Sequence, residues 1–192
     1  MPRYAVFIDG GYLRAVLRSF GEPRISYAKL GDYFSHGEER LRTYYYDCAP
    51  YQGMPPTEEE QQRKQAFDRF VFVLQAEVPR FQLRLGRLQR VQEPDGTWRF
   101  IQKKVDVLLA VDLVRLACEQ QIHRAVLIAG DSDFVPAIQI ARDAGTIVQL
   151  YHGSRPRPHH ELLQACDDRY IIDDRMIKDI QFDRREGGVD HA

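Results

Sequence analysis

The chain has 192 residues, 44% of them hydrophobic and 29% charged, enough for one globular domain with a real core. Its formal net charge is −1, so no global field draws it to nucleic acid or to a membrane, and any anion-binding surface must be local. Cys48, Cys118 and Cys166 are scattered with no CxxC pair, which argues against a zinc site and a disulfide framework and fits a reducing compartment. No apolar run has the length of a membrane span, and the opening MPRYAVFIDGG enters a strand pattern with no signal-peptide core. A soluble, cytoplasmic protein without membrane contact is expected.

Tyr4 to Ile8 is a β-prone apolar run that ends in Asp9-Gly10-Gly11, a tight turn into a helix over 12–20. Residues 24–34 read as a second helix, and the aromatic stretch 41–47 as a second strand. A proline-marked loop follows over 49–57. Thr57 and Glu60 then have capping-box spacing at the head of a helix reaching about residue 76. Alternation over 81–91, the turn Glu93-Pro94-Asp95-Gly96 and renewed alternation from Trp98 predict a hairpin. Residues 105–119 are apolar almost all round and predict a central buried helix. RAVLIA at 124–129 has the composition of a buried parallel strand, followed by Gly130-Asp131-Ser132-Asp133 and a helix over 134–144. A strand over 146–151, a basic loop over 152–160, a short helix over 161–165 and a short strand over 170–172 complete the pattern. Strands alternating with helices predict an α/β fold on a mainly parallel, doubly wound sheet. One domain is expected over 1–181 and a disordered polar tail over 182–192.

Two segments share one grammar. VFIDGG and VLIAGDSD are each an apolar strand ending in aspartate within a glycine turn. Strand carboxyl ends near a switch in strand order are where open α/β sheets build their sites, so Asp9, Asp131 and Asp133 should share one rim. Asp106 stands in the first turn of the buried helix, where the helix dipole favours a carboxylate. Asp112 lies in the apolar stretch LLAVDLV, where an unpaired charge is expensive; it either lines the same crevice or pairs with a buried base. Strand-end aspartates are also natural helix N-caps, a reading open to Asp9 and Asp133 individually. Several carboxylates in one cleft require a compensating charge. A hard divalent cation with oxygen ligands, Mg²⁺ or Mn²⁺, supplies it.

Ile8-Asp9-Gly10-Gly11-Tyr12-Leu13, Lys104-Val105-Asp106-Val107 with Ala110-Val111-Asp112-Leu113, and Ala129-Gly130-Asp131-Ser132-Asp133-Phe134 resemble the NYN-domain family over about residues 3–175. The resemblance implies a PIN-like Rossmannoid three-layer fold with helices on both faces of the sheet. It also implies a metal-dependent ribonuclease. Asp9, Asp106 and Asp131 match the family's metal-binding acids, Asp133 its fourth acid and Asp112 its second acid on the helix. Many relatives carry Asn where this chain has Tyr12, a residue that there can orient the first Asp or the substrate; Tyr12 and Ser132 are expected to bind substrate.

Residues 80–104 hold seven basic residues (Arg80, Arg84, Arg87, Arg90, Arg99, Lys103, Lys104) against Glu93 and Asp95. Such a face can track a phosphate backbone, with Trp98 stacking on bases of single-stranded RNA. The plainer reading is a solvated strand face over a packed tryptophan. Arg155, Arg157, His159 and His160 form a second candidate rim. Hydrolysis of RNA phosphodiesters is therefore the expected activity. A non-catalytic RNA-binding module and a haloacid-dehalogenase-like phosphatase are the alternatives. The phosphatase usually has an acid two residues after its first Asp, where this chain has Gly11.

Overall fold

The computed structural model describes residues 1–182; the tail expected over 182–192 lies, from residue 183 on, outside them. Among the described residues, seven strands follow in chain order: β1 (Arg3–Asp9), β2 (Glu39–Cys48), β3 (Phe81–Gln92), β4 (Trp98–Lys103), β5 (Arg124–Ile128), β6 (Ile147–His152) and β7 (Asp168–Ile171). They form one sheet in the order β4-β3-β2-β1-β5-β6-β7. Every pairing is parallel except β3–β4, the predicted hairpin. The chain runs outward from β1 to the β3–β4 edge, then returns to lay β5 against β1. The direction of winding thus switches between β1 and β5, the place where open α/β sheets form their sites at the strand carboxyl ends.

Seven helices accompany the sheet among the same residues: α1 (Gly10–Arg18), α2 (Tyr27–Tyr33), α3 (Glu58–Glu77), α4 (Val105–Cys118), α5 (Val135–Asp143), α6 (His160–Ala165) and α7 (Asp174–Ile180). Tyr4 through Ile8 are fully buried, which explains why β1 is apolar without alternation. Its residues nevertheless divide by the period of a strand. Ala5 and Phe7 join Ala125 and Leu127 in a cluster with Leu109, Leu113 and Ile138 of α4 and α5. Tyr4, Val6 and Ile8 join Val126 and Ile128 in a second cluster with Leu13, Leu30 and Ile177 of α1, α2 and α7.

The capping box is present. The Glu60 amide donates to Thr57 Oγ1 at 3.2 Å, and the Thr57 amide donates to Glu60 Oε2 at 2.9 Å. Three expectations are corrected. α2 is shorter than 24–34, because Ile25 bridges to Gln181 and Ser26 caps the helix by accepting from the Lys29 amide at 3.3 Å. α4 is not buried all round: Val107 and Val111 are 64% and 56% exposed. α7 has no counterpart among the elements expected from sequence, yet Met176, Ile177 and Ile180 fill the second cluster.

Candidate active site

Asp9 is the last residue of β1 and the N-cap of α1, and its Oδ1 accepts from the Tyr12 amide at 3.1 Å. Burial pushes its carboxyl above the ordinary value of 3.8. The Tyr12 amide opposes that shift, while the charges of Asp106 and then Asp47 add to it. Asp106, in the first turn of α4, is also pushed up, by burial first and then by the charges of Asp131 and Asp133. The Asp131 carboxylate caps a short 3-10 turn, Ser132–Phe134, by accepting from the Asp133 amide at 3.0 Å. The cap is therefore Asp131 rather than Asp133, the residue the sequence suggests; both side chains are exposed. Ser132 is half-buried within the turn.

The charge of Asp106 thus reaches Asp9, and the charges of Asp131 and Asp133 reach Asp106. Among the described residues, no three His, Cys, Asp or Glu side chains form a ready-made metal-holding group. The donors near the crevice are carboxylates, the chemistry a hard divalent ion takes. A cavity of about 590 Å³ lined by Arg142, Thr146 and Asp167 lies at the amino-terminal start of β6, the opposite end of the sheet from these acids.

Asp112 does not face the acids' crevice as a free ligand. Its carboxylate is buried and accepts from the Tyr46 hydroxyl at 3.0 Å, Arg84 Nε at 2.9 Å and Arg115 Nη2 at 3.4 Å. The charge-pair reading of Asp112 is the one observed. Its partner Arg84, expected from sequence to face RNA, is committed to that pair. Arg99 is likewise engaged, with Glu93 at 2.8 Å. Arg90 lies 4.1 Å from the Trp98 ring centroid, and Trp98 is half-exposed. Arg87 and Lys104 are exposed; the side chain of Lys103 lies outside the described residues.

One acid escapes the sequence reading. Asp47, near the end of β2, is buried and ion-paired with Arg14 of α1 through both carboxylate oxygens, with Nη2 to Oδ1 at 3.0 Å. Its charge reaches Asp9. The signal is there to be found: TYYYD is another buried strand run ending in aspartate.

Tyr12 fastens the site together. Its hydroxyl donates to the Pro156 carbonyl at 3.0 Å and accepts from the Gly153 amide at 3.2 Å. Its ring lies so close to Gly130 that an added Cβ there would be 2.4 Å from Tyr12 Cε2. Gly130→Ala should therefore push Tyr12 off its partners and cost about 1–3 kcal/mol of stability, as overpacking does; chemical denaturation against the wild type measures it.

The raised Asp9 carboxyl sets a pH dependence. The folded protein holds this proton longer than the unfolded chain, whose value stays near 3.8. Asp9's contribution to stability therefore falls as pH rises from 3.8 through its raised value. In EDTA, Asp9→Asn should melt higher relative to wild type at pH 7 than at pH 4. Adding Mn²⁺ at pH 7 should raise the wild-type Tm and leave the variant's nearly unchanged.

A family model described as the NYN domain matches residues 3–174. A crystal structure of a protein of unknown function from Vibrio parahaemolyticus superposes with a TM-score of 0.64 at 20% identity, covering 94% of this chain and 96% of that one. The uncharacterised protein y4oD of Sinorhizobium fredii is 38% identical over 68 residues, which span 34% of this chain and 32% of that protein. This chain thus spans about a third of that relative's length. With the family model covering nearly the whole sequence, the chain belongs to the NYN domain family.

Proposed function

We propose that the chain is a metal-dependent ribonuclease, hydrolysing RNA phosphodiester bonds at the carboxyl ends of β1 and β5 of a PIN-like three-layer fold. NYN domains are PIN-like nucleases that generally act on RNA with divalent metals. The observation that carries the reading is positional: Asp9 ends β1 and Asp131 and Asp133 follow β5, the two strands that flank the switch in strand order, and the charge of Asp106 reaches Asp9. Asp9, Asp106 and Asp131 are the residues to hold Mg²⁺ or Mn²⁺, and Asp133 completes the set. Such an ion, when bound, neutralises charge on a phosphate oxygen and acidifies water. The chain's own part is to hold that charge cluster open to solvent at Asp131 and Asp133, to fix Asp9 through the Tyr12 amide, and to orient water from Asp133. Asp112 is left out, because its oxygens are already shared among Tyr46, Arg84 and Arg115.

A non-catalytic RNA-binding module is the second reading, favoured by the lack of a preassembled ligand group among the described residues. Labelled single-stranded RNA separates the two. The ribonuclease cuts with Mn²⁺ and stops with EDTA, whereas the binder only retards the RNA. A phosphatase would instead release phosphate from small monoesters, and Gly11 leaves it without its second acid.

A further inference from the structure

The sequence suggests RNA-facing charge over residues 80–104, but ion pairs occupy Arg80, Arg84 and Arg99 there. Arg80 holds Glu39 at 2.8 Å, Arg84 holds Asp112 at 2.9 Å, Arg99 holds Glu93 at 2.8 Å, and Arg90 covers Trp98. A guanidinium already paired with a carboxylate gains little by exchanging it for a phosphate.

The loop between β6 and α6 is different. Residues 152–160 (HGSRPRPHH) carry Arg155 and Arg157 and no acid. Both arginines are exposed, and neither has an ion-pair or hydrogen-bond partner among the described residues. The loop is stitched to the acid-bearing turns at three points. The Gly153 amide donates to the Tyr12 hydroxyl, that hydroxyl donates to the Pro156 carbonyl, and the His159 amide donates to the Gly130 carbonyl at 2.9 Å. Tyr12 is the residue whose amide holds Asp9, and Gly130 immediately precedes Asp131. The loop also closes down on α1, since a Cβ at Gly153 would meet Val16 at 2.8 Å. Two cations without acidic partners are thus held on a pinned backbone at the rim of a carboxylate cluster.

We propose that loop 153–159 is the phosphate-binding rim of the site, with Arg155 and Arg157 gripping backbone phosphates of single-stranded RNA next to the phosphate presented to Asp9 and Asp131. This rests on the ribonuclease reading for its substrate, but it concerns binding and is measured without cleavage. Positive charge at this place does two things. It offsets the repulsion between the RNA backbone and the acids, and it fixes the strand relative to them. Tyr12 acts here as a positioning residue, tying the loop to the turn that holds Asp9.

The test is fluorescence anisotropy of a labelled single-stranded RNA with the full-length Asp131→Asn protein, titrated between about 50 and 200 mM salt. Arg155→Ala/Arg157→Ala in that background should weaken binding roughly tenfold. It should also flatten the log–log salt slope by about 1.4, at about 0.7 for each phosphate no longer neutralised. Arg155→Lys/Arg157→Lys should keep the slope, because lysine retains the point charge. Arg87→Ala/Arg99→Ala on the hairpin should change binding less than the loop pair does. Unchanged binding in the loop variant, or a greater weakening in the hairpin variant, overturns the proposal. So does an acidic peptide competing as well as RNA. RNA that is bound through the loop but left uncut by the wild type with Mn²⁺ would sink the hydrolase reading and leave the rim standing.

Discussion

Asp131→Asn should reduce Mn²⁺-dependent RNA cleavage about 10³-fold while the protein melts within a degree or two of the wild type. The two halves have separate causes. Asp131 is exposed, and its structural duty is one hydrogen bond from the Asp133 amide at 3.0 Å. Asparagine keeps an oxygen there and is an equally good cap, so stability should move by only a few tenths of a kcal/mol. What asparagine removes is the negative charge that couples to Asp106. Losing one anionic ligand forfeits several kcal/mol of charge stabilisation in the reaction, and about 4 kcal/mol corresponds to 10³ in rate. Single-turnover cleavage of labelled RNA, with the melting curve of the same sample, checks both halves. A variant cutting at the wild-type rate would remove Asp131 from the machinery, and with it the assignment of the crevice.

Asp112→Ala tests the opposite case, an acid placed for structure. The substitution strips the Tyr46 hydroxyl, Arg84 and Arg115 of their shared acceptor. Tyr46 is fully buried and cannot turn to water. Breaking a buried ion pair costs about 3–5 kcal/mol, but the arginines here are about a third or more exposed and part of their charge is already solvated. The expected loss is therefore about 2–3 kcal/mol, or roughly 5–10 °C in Tm for a domain of this size. RNA cleavage per folded molecule should stay within about twofold. If cleavage vanished while Tm held, Asp112 would belong to the site after all.

The raised carboxyls of Asp9 and Asp106 share a cause with the proposed chemistry. Burial and like charges disfavour ionisation at both positions. A cation that relieves this repulsion stabilises the fold, and protons compete with it. Metal affinity and cleavage should accordingly both fall as pH is lowered toward the ordinary carboxylate range.

The strands are legible because burial on both sides writes itself as continuous apolar runs. VFI and AVLI are such runs, and each ends where the chain must turn. Asp9 and Asp131 are found for that reason, whereas Asp47 is hidden because its run is tyrosine-rich and lacks the glycine that accompanies the others. α7 leaves little trace, since seven residues are too few for a helical period to stand out.

Local chemistry in the chain thus determined which segments are strands and which of them end in acids. It could not decide how charges are shared out, because ion pairing joins residues far apart in sequence. Arg84 and Asp112 are 28 residues apart, and Arg14 and Asp47 are 33 apart. Pairing of this kind gives Asp112 the partners Tyr46, Arg84 and Arg115, and it engages Arg99 with Glu93. The hydroxyl of Tyr12, reaching 144 residues along the chain to Pro156, brought the basic loop to the edge of the acids.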